Sequence, residues 1–149
     1  MIVMQEFEIF ADPEGGYAVL PCGLDGATEG DTYEEAVEMA VDWLRVRALA
    51  ALERGVSFEG GGLGHAPENG GTVVTVATNV ELSDIPAVTA AQAAVMLGVS
   101  TARVAQLCRD GSLNSWRVGG ARMVSRDSIE YRLAAKPEAG RPRKQATGA

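Results

Sequence analysis

The stretch "VTAAQAAVMLGVSTARVAQLCRDG", residues 88–111, constrains the fold more tightly than any other part of the chain. Thr89 followed by Gln92 is a capping box, in which a hydroxyl and a side-chain amide satisfy each other's exposed backbone N–H groups at a helix start. Ser100 supplies a second N-cap. Ala93, Leu97, Val99, Val104 and Leu107 then fall where two short helices, over 90–96 and 101–109, bury them together if they cross steeply at Gly98.

Charge divides along the chain as well. Residues 1–84 carry 16 Asp and Glu against Arg45, Arg47 and Arg54, a net of -13, whereas residues 85–149 carry four acids against ten Arg and Lys, a net of +6; together they give -7. Such asymmetry points to a nucleic-acid-facing part joined to something else. A chain of 149 residues holds one domain or two small ones. The charge break favours two, over 1–84 and 85–135, followed by a basic tail over 136–149. The tail has no apolar periodicity and is expected to be disordered, its Arg141, Arg143 and Lys144 either touching phosphate or simply solvated. With 46% apolar and 22% charged residues the composition is that of a soluble globular protein. No apolar run approaches the about 18 residues of a spanning helix, and the first ten residues lack the basic start of a secretory signal. The expected address is the cytoplasm.

In the acidic half, Val3, Phe7 and Ile9 share one side of an alternating run, which predicts a strand, and Asp12 to Gly16 supply turn chemistry before a second strand over 17–20. Thr32 and Glu35 match another capping box. Tyr33, Val37, Ala40, Leu44, Ala48 and Ala51 recur at spacings of three and four, predicting a long helix to about Arg54 that Gly55 ends. Its acids come early and its arginines late, as the helix dipole favours. The glycine-rich run 58–71 reads as a mobile loop, and "TVVTVATNV", 72–80, as a third strand. The order is β-β-α-β, and "LSDIPA", 82–87, is a linker. The whole chain is expected to be α+β.

In the basic half, the corner leaves Ser100, Thr101, Ala102, Arg103, Gln106 and Arg109 at or near the outward side of the second helix, where such side chains reach base edges and phosphates. Gln pairs with adenine and Arg with guanine. Arg109 is equally suited to cap its own helix. Asp110-Gly111 turns the chain into "WRVGGARMV", where Gly119-Gly120 suits a two-residue hairpin with Arg117 and Arg122 flanking its tip. A closing helix follows over 126–134, in which Arg126 has either a packing or a contact role. Residues 88–133 resemble the excisionase-type winged helix-turn-helix, related to the MerR group, in their corner, capping serine, turn glycine, wing glycines and final helix. That resemblance implies double-stranded operator DNA as partner. The aromatic residue and Arg that commonly follow the wing glycines are represented by Arg122 and Met123 in altered order.

Residues 17–44 resemble HicB-type antitoxin domains, through Pro21, Leu24 and Gly26, then Gly30, Asp31, Thr32, Glu34, Glu35 and Ala36. The resemblance spans roughly 1–82 and implies a partial RNase H-like fold that is not catalytic, forms a homodimer or higher homo-oligomer, and covers a small basic toxin of the HicA type. The glycine-rich run departs from that pattern. A net of -13 suits a basic partner, and it equally suits a purely dimerising or ligand-sensing surface.

Catalysis has little to stand on. RNase H chemistry needs carboxylates converging on two metal ions, whereas Asp12, Asp25 and Asp31 fall in a turn, a loop and a helix start. His65 reads as a surface residue in the glycine-rich run. Cys22 and Cys108 form neither a disulfide framework nor a metal-ligand spacing; both read as packing residues, and Trp43 and Trp116 as core or interface. No enzyme activity, metal or cofactor is expected.

Overall fold

The computed structural model describes residues 1–135, so the tail over 136–149 lies outside the described residues. The fold is α+β, and the chain divides into two compact units, Met1–Asp84 and a second from Ile85 onward.

The first unit runs β1 (Ile2–Ala11), β2 (Tyr17–Pro21), β3 (Thr28–Gly30), α1 (Tyr33–Glu53) and β4 (Thr72–Asn79). β1 is central, antiparallel to β2 through Phe7–Ala11 and to β4 through Ile2–Ile9, in the sheet order β3-β2-β1-β4. The three-residue β3 adds a strand to the expected β-β-α-β, because pairing with Tyr17, Ala18 and Val19 defines it rather than any alternation of its own.

One sheet face packs on α1. Phe7, Ile9, Val19 and Val76 meet a helix stripe of Ala36, Ala40, Leu44, Ala48 and Ala51. Four alanines bring the helix axis close, and the sheet supplies the bulk. The stripe starts at Ala36 rather than Tyr33, which is exposed and sets its ring edge against Tyr17 at 5.7 Å. Trp43 meets Phe7 edge-on at 5.5 Å.

The helix ends are built locally. Thr32 Oγ1 accepts from Glu35 N–H at 3.1 Å, while the Glu35 carboxylate reaches past Thr32 to accept from Asp31 N–H at 2.9 Å. At the other end Gly55 takes φ +74°, letting its own N–H donate to the Leu52 carbonyl and that of Val56 to Ala51. The expected late arginines are not in the last turn. The helix runs on to Glu53, so Arg45 and Arg47 stand before its last turn and Arg54 is its C-cap; Arg45 pairs with Asp84 at 3.3 Å and donates to the Asn79 carbonyl, and Arg47 lies 4.4 Å above the Trp43 ring.

The second unit runs β5 (Ala87–Thr89), α2 (Ala90–Leu97), α3 (Thr101–Arg109), β6 (Ser115–Val118), β7 (Ala121–Ser125) and α4 (Arg126–Ala135), with sheet order β5-β7-β6. The linker reading holds only in part: Leu82–Asp84 form a short 3-10 turn, and residues 87–89 pair with β7. The core gathers Ala93, Ala94, Leu97, Val104, Leu107, Leu113, Val124 and Ile129, with Val99 only half-buried beside them. Because Leu44 is fully buried between α1 and the sheet, Leu44→Ala is expected to lower stability by about 2–5 kcal/mol, which urea denaturation of the full chain will measure.

Candidate nucleic-acid interface

The corner depends on backbone that only glycine adopts freely. Gly98 ends α2 in the left-handed region, φ +68° and ψ +35°. Two residues later the Ser100 hydroxyl accepts from Arg103 N–H at 3.1 Å and starts α3. The Thr89 box is complete, with Gln92 N–H donating to Thr89 Oγ1 at 3.2 Å and Thr89 N–H to Gln92 Oε1 at 2.9 Å. Val104 and Leu107 turn inward, so Ser100, Thr101, Ala102, Arg103, Gln106 and Arg109 are all exposed.

On that outward face the Arg103 guanidinium donates to Gln106 Oε1 at 2.7 Å, which fixes two long side chains relative to each other before any partner arrives. Arg109 stands in the last turn of α3. Beyond it Asp110 accepts from Ser112, and this hydrogen bonding holds its carboxyl below the usual range.

The wing places Arg117 directly opposite Arg122 across two strands joined by Gly119-Gly120, with Gly119 at φ +61°. Arg117 donates to the Gly120 carbonyl at 3.1 Å and Arg122 to Ser115 Oγ at 3.0 Å. Among the described residues no carboxylate forms an ion pair with Arg103, Arg109, Arg117 or Arg122. Arg126 differs: it pairs with Glu130 at 3.5 Å, and its N–H donates to the Pro86 carbonyl. A serine network sets the wing against α4 and escapes a sequence reading. Ser125 Oγ accepts from Ser128 N–H, the Ser128 hydroxyl donates to the Ser125 carbonyl, and Asn114 N–H donates to Ser128 Oγ. Its only sequence signal was a serine immediately before the residue-126 helix start.

In the first unit, His65 is not an unpartnered surface residue. The sheet face turned away from α1 carries Glu6 and Glu8, both buried, because the glycine-rich run folds over them. His65 N–H donates to Glu6 Oε1 at 2.9 Å and its Nδ1 lies 2.8 Å from the same oxygen. Glu8 accepts from the N–H groups of Glu68, Asn69 and Gly71 and from the Asn69 side chain, at 2.8–3.0 Å. The run therefore is a tied strap rather than a mobile loop. It crosses from the helix side where Gly61 N–H donates to Gln5 Oε1, and there a Cβ on Gly61 would lie 1.9 Å from the Cys22 carbonyl oxygen.

The strap bounds a cleft of about 690 Å³ lined by Glu8, Cys22, Asp25, His65, Glu68 and Asn69, among others. Burial, helped by the charges of Glu6, Glu8 and Glu68, pushes the Cys22 thiol up, which keeps it protonated and a poor nucleophile. Cys108 packs beside the second core, and Trp116 is half-buried opposite Met123. Asp12 accepts from Glu14 N–H in its turn, Asp25 is at the cleft, and Asp31 precedes α1. Among the described residues no group of three or more His, Cys, Asp or Glu is placed to hold a metal ion, and no helix is long and apolar enough to cross a membrane.

Residues 87–137 match the family model of a helix-turn-helix domain. No curated protein and no solved structure matches the chain. The second unit is thus built as a helix-turn-helix with a small wing.

The strap carries its own pH dependence. Hydrogen bonds from the His65 backbone and ring bring Glu6 down to about 2; burial alone would raise Glu8, but its N–H donors outweigh it and bring it to about 2 as well. Groups depressed from an ordinary 4.5 stabilise the fold fully above that pH and progressively less as pH falls toward about 2. Thermal unfolding is therefore expected to lose stability across that window. Glu8→Gln should cost about 1–3 kcal/mol at neutral pH, since donors in a buried site lose a charged acceptor, and should flatten the acid slope; unchanged stability and slope would show that the carboxylate does not hold the strap.

Proposed function

We propose that this chain is a DNA-binding transcriptional regulator, whose helix-turn-helix unit sits on an operator in or near its own promoter while the acidic unit holds protein partners. The observation that carries the reading is a set of basic side chains with no carboxylate partner among the described residues: Arg103 and Arg109, with Gln106, on α3, and Arg117 and Arg122 on the wing. Among the described residues these guanidinium groups pair with no carboxylate, which leaves them for guanine edges and phosphates. Ser100, Thr101 and Ala102, at the N-terminal end of α3, are the short residues that let the helix approach the groove.

A homodimer suits this reading, because two heads on one assembly gain effective concentration and select half-site spacing. The first unit's net of -13 supports a further role in neutralising a small basic toxin of the HicA type, which long-range attraction would steer toward it. Co-purification with a small basic protein encoded beside this one tests that role. The reading is non-enzymatic: Asp12, Asp25 and Asp31 belong to separate turns and caps.

Two outcomes are expected. In a gel-shift titration, four to six phosphate contacts give a slope of log affinity against log salt of about -4 to -5; a flat slope with no preference for upstream DNA would remove the regulator reading. Arg103→Ala and Gln106→Ala should each cost about 1–3 kcal/mol on the preferred site and much less on unrelated duplex. Equal losses on both would assign these side chains to phosphate.

A further inference from the structure

The sheet of the first unit has two edges, and they are treated differently. One edge is β3, three residues long and carrying the exposed Glu29. Shortness and charge are the usual means of blunting an edge. The other is β4, eight residues in unbroken register with β1, containing no charged residue and no proline. It lies within residues 69–80, the longest uncharged run of the first 84 residues. Among the described residues β1 is the only strand paired with it, so alternate residues of β4 turn their N–H and C=O groups outward, of which the Asn79 carbonyl at the strand's end is taken by Arg45.

We propose that the outer edge of β4 docks the β4 of a second copy of this chain, the two strands antiparallel about a two-fold axis so that two four-stranded sheets become one. Charge selects this occupant. Two units of net -13 repel wherever acids meet, and the early turns of α1 carry Glu34, Glu35, Glu38 and Asp42. The β4 edge is where two copies align a strand's length of backbone without opposing like charges. A basic partner is drawn to the acids instead. The strand also complements itself: with Thr75 on the axis, Val74 stands beside Val76 of the second copy and Val73 beside its Ala77, pairings of the β-branched and small residues that sheets favour. The proposal deepens the paired-head reading and rests on it for its use, yet it is tested without DNA.

Light scattering of the full chain is expected to give twice 15.6 kDa. Ala77 is exposed, and Ala77→Glu sets a carboxylate against Val73 of the second copy, next to that copy's Glu8, and should weaken the dimer at least about tenfold with unchanged circular dichroism. A wild type that stays monomeric at about 100 µM, or a folded Ala77→Glu that dimerises as well as wild type, overturns the proposal. Independently of any variant, the outward amides of Thr72–Asn79 should exchange more slowly as wild-type concentration rises, and exchange that ignores concentration overturns it as well. A dimer that shifts no duplex removes the DNA reading and leaves this interface standing; a monomer that shifts duplex does the reverse.

Discussion

Two net charges of opposite sign on one short chain, -13 over residues 1–84 and +6 over the rest, set what each unit can approach. Exposed charges act over a screening length of about 8–10 Å at physiological salt, so the acidic unit repels a polyanion well before contact. Arginine pairing differs in the same direction, Arg126 on Glu130 apart. In the first unit Arg45 and Arg47 are engaged, on Asp84 and on the Trp43 ring. In the second, Arg103, Arg109, Arg117 and Arg122 pair with no carboxylate among the described residues and hydrogen-bond at most to neutral groups. Their charge is available to a partner.

The first unit meets a different constraint. A sheet with one helix leaves its second face uncovered, and here the cover is a glycine-rich strap that has little apolar surface to bury. Its hold is polar: the carboxylates of Glu6 and Glu8 gather backbone N–H groups that a loop otherwise leaves to water. Glycine is required where the strap passes the end of β2, since at Gly61 the neighbouring Cys22 backbone leaves no room for a side chain. The result is a covered face, a cleft beside it, and an uncharged β4 edge.

Features settled within a few residues were legible in the sequence. The caps at Thr32, Thr89 and Ser100, the glycines at 55, 98 and 119, and the inward pair Val104 and Leu107 all follow from neighbours three or four positions away. What depends on distant partners was not legible. β3 and β5 have no pattern of their own and exist through pairing with β2 and β7. Nothing in the sequence marks Glu6 and Glu8 as buried, because their donors lie about 60 positions further on. His65 was misread for the same reason, and the α1 arginines because the helix runs on to Glu53, which leaves Arg45 and Arg47 before its last turn and Arg54 as its C-cap.

Everything about function rests on which surface meets nucleic acid. Backbone amide resonances of the full chain, followed as an operator duplex is added, report that surface residue by residue. Shifts are expected to concentrate at Ser100 to Arg109 and at Arg117 to Arg122, with the amides of Met1–Asp84 unmoved. Shifts centred on the acidic unit, or shifts in which neither α3 nor the wing takes part, would contradict it.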